Sequence, residues 1–396
     1  MEMDYFKESL ILHRRLKGKI HISPKIDVQT KEQLSLVYSP GVAEPCRDIQ
    51  RNPEAVWEHT IKNNTVAVVS DGSAVLGLGN IGAHAAIPVM EGKALLFKRF
   101  ANIDAFPICI DTQDTEKIVE TVKLIAPVFG GINLEDIAAP RSFEVEEQLQ
   151  DLGIPVFHDD QHGTAIVVLA ALLNAVKVIG KDISELKVVI NGAGAAGIAI
   201  ARLLKGVDYE GNQHRVEVKD IVICDSKGIV HESRDDLNAK KRDALKYTNA
   251  AGITGDVHDA LEGADVFIGV SVGELLNADD IRRMAKDSII LALANPIPEV
   301  MPNEAYEGGA AIVGTGRSDL PNQVNNVLGF PGVFRGALDA RAKSITPGMK
   351  IAAAIAIANC VPKPSEELII PASLDEQVAW RVAAAVKEAA LEDFSG

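Results

Sequence analysis

Cysteine is scarce in this chain and scattered. Cys46, Cys109, Cys224 and Cys360 are the only four in 396 residues, with no CxxC pair and no metal-ligand spacing. That excludes a small disulfide-stapled scaffold and a thiolate zinc centre, and it points to reduced thiols in a cytoplasmic protein. Basic residues are in deficit: 40 Lys and Arg against 55 Asp and Glu give a net charge of −15, which argues against nucleic acid as the main partner. A clean apolar span is missing as well. The most apolar stretch, residues 164–180, is interrupted by Asn174 and Lys177 and falls short of the ~20 apolar residues that a membrane crossing needs. The amino end, MEMDYFKESLILHRRL, lacks the basic start and apolar run of a secretory signal. No solenoid-length repeat is present. What the chain does have is 47% hydrophobic and 24% charged residues, the composition of a globular protein, and length for two or three domains of ~100–200 residues.

Residues 1 to 60 read as polar helices with turn signals at Ser23-Pro24 and in YSPGVAEP. Apolar runs then alternate with helical stretches. NTVAVVSDG reads as a buried strand, residues 94–97 and 105–110 as two more, and GINLED and IPVFHDD as another pair, with an amphipathic helix in DTEKIVETVKLI. A second series runs through LKVVING, VKDIVICD, GADVFIGV, SIILALAN and AAIVGTG. Strands alternating with helices signal mostly parallel sheets. The expected architecture is α/β: an N-terminal α/β substrate and metal domain over residues 1–162, then a Rossmann-type doubly wound NAD(P)-binding domain with C-terminal helices over residues 163–396. Residues 206–220 are polar and long for a connection, and read as a surface excursion.

In VVINGAGAAGIA, Gly192, Gly194 and Gly197 stand in GxGxxG spacing after a strand and before a helix. The first glycine permits a tight turn, the second lets backbone amides approach a pyrophosphate, and the third allows close helix–strand packing. Residues Gly192, Ala193, Gly194, Ala195, Ala196 and Gly197 are thus the candidate dinucleotide loop. Asp225, ending IVICD, suits an adenine-ribose 2′-hydroxyl and favours NAD. Its separation from the loop exceeds the usual ~20 residues, and Lys227 could instead meet the 2′-phosphate of NADP.

Two adjacent acidic pairs, Glu135-Asp136 and Asp159-Asp160, each follow a strand-like run. Neighbouring carboxylates repel, so a pair is comfortable where water, a base or a divalent cation takes up the charge. The spacing brings the two pairs to the carboxyl edge of one sheet, and hard oxygen ligands suit Mg²⁺ or Mn²⁺. His158 and His162 read as packing and hydrogen-bonding residues rather than ligands.

The segments VYSPGVAEPC, SDGSAVLGLGNIG, PVMEGKALLFK, INLEDIAAPRSFEVE, HDDQHGTA, NGAGAAGIA, ANPIPE and NQVNNVLGFPG resemble, in order and over nearly the whole chain, the motif series of malic enzymes in their short bacterial form. The resemblance implies oxidative decarboxylation of L-malate to pyruvate with NAD or NADP and Mn²⁺ or Mg²⁺, in a homodimer whose amino-terminal helices pack across the interface. It implies Tyr38 as the general acid that protonates the enol and Lys93 as the general base on the malate hydroxyl. Glu135, Asp136 and Asp160 would be metal ligands, and Asp159 the neighbour that tunes the lysine. Asn295 and Asn326 would be substrate-side amides, Asn295 also flanking the cofactor. GLGNIG reads as a substrate-side turn.

One departure stands out. Longer eukaryotic members carry Glu-Arg after the Asp-Gly, and that arginine grips a malate carboxylate; here the pair is Ser73-Ala74. Ser73, the amides of GLGNIG or a basic group from a partner subunit are the candidate anchors. The competing readings are a malolactic enzyme, a 2-hydroxyacid dehydrogenase that does not decarboxylate, and a non-catalytic NAD sensor.

Overall fold

A computed structural model describes residues 4–75, 77–207 and 216–394. It contains two sheets. The first is four-stranded and parallel, from β1 (Thr65–Ser70), β2 (Asp104–Cys109), β3 (Gly131–Leu134) and β4 (Val156–His158), in the order β2-β1-β3-β4. β1 and β3 are buried at every position, as uninterrupted apolar runs in a parallel sheet should be. The order reverses between β1 and β3, and at such a switch point a ligand site forms beyond the carboxyl ends of the strands.

Residues 94–97 are not a strand. They lie in the helix Gly82–Ala101, where Met90, Ala94, Phe97 and Ala101 form its buried face. A four-residue apolar run is ambiguous between strand and helix, and here the helical spacing around it decides.

The second sheet joins β5 (Lys187–Asn191), β6 (Asp220–Asp225), β7 (Gly228–Ile229), β8 (Val266–Gly269), β9 (Ser288–Ala292) and β10 (Ala310–Thr315) in the order β10-β9-β8-β5-β6-β7. All its pairings are parallel except the short β6–β7 turn. The doubly wound order again reverses at the first strand, β5, so the glycine loop opens at a switch point. Of the excursion expected at 206–220, residues 208–215 lie outside the described residues.

Between the sheets runs the helix Thr164–Ile179, buried at every position from 165 to 172. With its lead-in it is the one described helix long and apolar enough to cross a membrane; here it packs against the helices Ala195–Leu204 and Pro347–Asn359. The C-terminal helices Phe330–Asp339 and Glu376–Asp393 pair with each other and return to the helix Gly82–Ala101. Phe330 and Phe334 meet Phe97 edge-on at 4.7 and 5.3 Å, and Phe157 meets Phe334 at 5.8 Å. One hydrophobic core therefore passes through both halves. Edge-on aromatic pairs of this kind add about 0.5–1.5 kcal/mol each beyond burial, and they join the helix Phe330–Asp339 to the helix Gly82–Ala101 and to β4.

The amino-terminal helices Tyr5–Leu16, Lys31–Val37 and Ala43–Arg51 are different: none buries a residue. They are tied to the body through Lys19, whose amide donates to Glu91 (3.1 Å).

Candidate active site

The carboxyl edge of the first sheet gathers both acidic pairs. Glu135 and Asp136 follow β3, and Asp159 and Asp160 follow β4 in a single π-turn that leads into the core helix. Carboxylate oxygens of Glu135, Asp136 and Asp160 lie within 4.8 Å of one another. The Asp136 amide donates to Asp160 (2.8 Å), and Asp136 adopts a left-handed backbone, φ 54°, a conformation that aspartate tolerates better than most side chains.

Lys93 enters from the helix Gly82–Ala101. Its ammonium lies 2.5 Å from Asp159 Oδ2 and 2.8 Å from Glu135 Oε1, with its side chain 11% exposed, and it stands 4.1 Å over the Phe330 ring. Burial alone would lower its pKa, but Asp159 and Glu135 outweigh burial and hold it well above the ordinary lysine value. The carboxylates move upward too. Burial raises Glu135 well above its usual range, with Asp160, Asp159 and Asp136 adding to Lys93's insufficient opposition, and burial with Asp160 raises Asp159. Four carboxylates crowd around one ammonium, and the mutual repulsion that helps raise Glu135 and Asp159 is what a divalent cation would relieve. Asp159 Oδ1 and His158 Nε2 are also buried without a hydrogen-bond partner among the described residues, the latter 3.7 Å from Asp160. The donor set is all oxygen and fits Mg²⁺ or Mn²⁺.

Asn326 joins this cluster. Its Nδ2 donates to Asp159 (3.0 Å), and Thr164 Oγ1 donates to its Oδ1 (3.2 Å), so the amide is held from both ends. Asn133 donates to Glu135 (2.8 Å). Asn295 is exposed at the end of β9. The GLGNIG turn reaches that loop: a Cβ at Gly77 would come within 2.8 Å of the Asn295 carbonyl. Glu299, fully buried, accepts from the amides of Ser271 and Ala294 and so ties the ends of β8 and β9 beneath Asn295. Tyr38 shares no hydrogen bond with them among the described residues. It caps the helix Lys31–Val37, is 70% exposed, and its hydroxyl has no hydrogen-bond partner among the described residues.

The dinucleotide loop has the expected form. Gly192 sits at φ 130°, and a Cβ there would meet the Val270 carbonyl at 2.7 Å; one at Gly197 would meet the Gly192 carbonyl at 1.8 Å. Gly194 caps the helix Ala195–Leu204 with no side-chain hydrogen bond to its first turn and open space around it, leaving Ala193, Ala195 and Ala196 to frame amides that suit a phosphate. Asp225 ends β6 as expected but is fully engaged. Oδ1 accepts from Arg234 (2.8 Å) and the Lys227 amide (2.9 Å), and Oδ2 accepts from Arg234 (3.0 Å) and Lys241 (2.5 Å), which fills its four acceptor positions.

His162 faces away from the acidic cluster, toward Glu146 (2.9 Å) and Lys350 (3.1 Å). Glu146 also accepts from the His158 amide and Gln161 Nε2, both at 3.1 Å. Burial would raise its pKa; His162 and Lys350 pull it down to about 2. Glu146→Ala should therefore destabilise the fold by roughly 3–5 kcal/mol, because it strands buried donors and cations. In Glu146→Gln the share of stability that the wild type loses between pH 4.5 and pH 2 should vanish, since a depressed carboxyl stabilises above its unfolded pKa and the benefit fades as acid protonates it. Denaturant midpoints across that pH range measure both.

Asn133, Thr164, Glu146, Glu299 and Phe330 escaped the sequence reading. All five stand inside the quoted motifs, but nothing local marks a residue whose role is set by a partner elsewhere in the fold.

The malic enzyme N-terminal domain family matches residues 17–150, and the malic enzyme NAD binding domain family matches residues 161–391. A bifunctional malic/malolactic enzyme of Bacillus subtilis is 56% identical over 98% of this chain and 94% of its own length. An NAD-dependent malic enzyme of Geobacillus stearothermophilus is 53% identical over 94% of this chain and 77% of its length. The crystal structure of an NAD-dependent malic enzyme from Thermotoga maritima superposes with a TM-score of 0.91 at 50% identity, covering 96% of this chain and 98% of that one. With two family domains in register and relatives this similar end to end, the chain belongs to the malic enzyme family.

Proposed function

We propose that the protein oxidises L-malate with NAD(P) and releases pyruvate and carbon dioxide. The observation that carries this reading is Lys93, ion-paired between Asp159 and Glu135 beside a three-carboxylate cation site. Glu135, Asp136 and Asp160 would hold Mg²⁺ or Mn²⁺. When bound, such a cation lowers the pKa of the malate 2-hydroxyl and stabilises the enolate charge left as carbon dioxide departs.

Lys93 Nζ takes the hydroxyl proton as hydride passes to the nicotinamide. It can do so only as the neutral amine, and the two carboxylates favour the ammonium. Engaging Glu135 in a cation site removes one of those two partners and moves Lys93 toward the form a base needs. Asp159 keeps the amine in place, and Asn326 fixes Asp159. Asn295 and Asn326 can hydrogen-bond the substrate without adding charge. Tyr38 returns a proton to the enol carbon. Oxidation comes first, because only the 2-keto acid offers an electron sink for carbon–carbon cleavage.

Asp225 favours NAD; with its acceptor positions filled, a ribose hydroxyl must compete with Lys241, so both cofactors are compared. The test follows reduced cofactor with L-malate and Mn²⁺, with NAD and with NADP, while pyruvate, oxaloacetate and lactate are assayed. Pyruvate in step with NAD(P)H, stopping on chelation, is expected. Stable oxaloacetate would mean a plain dehydrogenase, lactate without net cofactor reduction a malolactic enzyme, and dinucleotide binding without turnover a sensor.

The functional unit is a cytoplasmic homodimer. Tyr5, Phe6, Ile22, Leu36 and Tyr38 are each at least 70% exposed on the amino-terminal segment, an apolar surface that a monomer seldom leaves bare. A second copy suits it, because among the described residues no tyrosine is hydrogen-bonded to the Lys93 cluster.

A further inference from the structure

The acidic cluster carries excess negative charge, and the substrate brings two carboxylates more. With Ala74 where longer relatives place an arginine, a cation must come from elsewhere in the fold.

Arg141 is the first residue of the helix Arg141–Leu149 and follows Asp136 by five positions. Its Nε and Nη2 both lie 3.0 Å from Asp71 Oδ2, at the end of β1, and its side chain is 21% exposed while that of Asp71 is fully buried. The other Asp71 oxygen accepts from the Ser73 hydroxyl (2.5 Å) and the Ser73 amide (2.9 Å). The Ser73 hydroxyl in turn accepts from the Ala138 amide (2.9 Å), and the Ala74 amide donates to the Asp136 carbonyl (2.9 Å). The turn that holds the guanidinium is thereby laced to the loop that carries Glu135 and Asp136. Ser73 already donates and accepts within this lattice, which removes it as a carboxylate anchor. Arg141 Nη1 has no partner among the described residues, so the guanidinium keeps donors free in a fixed orientation, the arrangement suited to a carboxylate.

We propose that Arg141 anchors the substrate carboxylate that survives into the product, and that Asp71 is its positioning residue. The choice between the two carboxylates follows from the chemistry. The one lost as carbon dioxide must shed its charge, and a guanidinium on it would stabilise the ground state more than the transition state. The one retained in pyruvate stays anionic throughout, so its anchor binds both states. Arg141, held on Asp71, then supplies the cation that Ala74 does not.

The inference rests on the malate reading, and an equilibrium probe separates the two. Oxalate, a planar dianion that mimics the enolate of pyruvate, is titrated calorimetrically into the Mn²⁺-loaded full-length protein. Arg141→Ala should weaken oxalate on the order of 10- to 100-fold, the loss of a charge-assisted pair. It should raise the KM for malate and the inhibition constant for pyruvate by the same factor, with kcat changed far less and NAD(P) affinity unchanged. Arg141→Lys should fall between, which keeps the test open where the alanine variant folds poorly. Asp71→Asn should weaken oxalate less, and adding it to Arg141→Ala should change nothing more, because it acts through the guanidinium. Unchanged oxalate affinity in Arg141→Ala would overturn the proposal, as would a malate effect with no pyruvate effect, which would put the clamp on the departing carboxylate. A wild type that binds oxalate through Arg141 but does not turn over malate would sink the activity reading and leave this one standing.

Discussion

Lys93→Ala should oxidise malate about 10³-fold more slowly than the wild type, within the 10²–10⁴ span that a positioned proton-transfer group contributes. Binding should not suffer in parallel. Removing the ammonium deepens the negative charge shared by Glu135, Asp159 and their neighbours, so Mn²⁺ should bind at least as tightly, and the dinucleotide loop after β5 is untouched. The variant that decides between roles is Lys93→Arg. It preserves the positive charge between the two carboxylates but cannot give up a proton near neutrality. If Lys93 is the base, arginine should be nearly as inactive as alanine. Should arginine restore a tenth or more of kcat, the lysine serves electrostatics and the base must be sought elsewhere. The rate constants, with Mn²⁺ affinity from electron paramagnetic resonance as the control for site integrity, settle the matter.

What could be read from the residues was what neighbours decide. Gly192 and Gly197 are needed for contacts within their own turn and with the adjacent strand, and a strand before and a helix after were enough to place them. Each acidic pair follows its own strand, and parallel β3 and β4 bring the pairs together with no further information. The misread segment, residues 94–97, failed for a physical reason: four apolar residues do not distinguish periods of 2 and 3.6, and the rest of the buried face lies on either side of them. The partners of the site residues were beyond reach. Phe330 under Lys93, Asp71 on Arg141 and Asn326 on Asp159 are joined by tertiary packing across 237, 70 and 167 positions, and nothing local marks them. Asp225 shows the same limit in reverse. Its place at the end of β6 was legible, but its capture by Arg234 and Lys241 was not.

Tyr38 carries the remaining large effect. On the chain itself it stands 70% exposed at the end of an unburied helix, while Lys93 is nearly enclosed, so the prediction is that the phenol completes the site of the other subunit. Tyr38→Phe should slow turnover about 10²-fold or more by removing the proton donor to the enol. Mixing it with Lys93→Ala distinguishes the two arrangements. Where each site takes its tyrosine from the other subunit, a heterodimer of the variants has one site with both defects and one with neither. Equal mixing should then recover about one quarter of wild-type activity, since half the dimers are mixed and half of their sites intact. If the tyrosine serves its own subunit, every site in the mixed dimer keeps one defect and activity stays at the level of the parents. Sedimentation of the same samples reads the dimer directly, and a monomer of full activity would refute the exchange along with the homodimer. The quarter recovery is the expected result, because Lys93 and the carboxylates around it come from one chain while Tyr38 stands exposed on it.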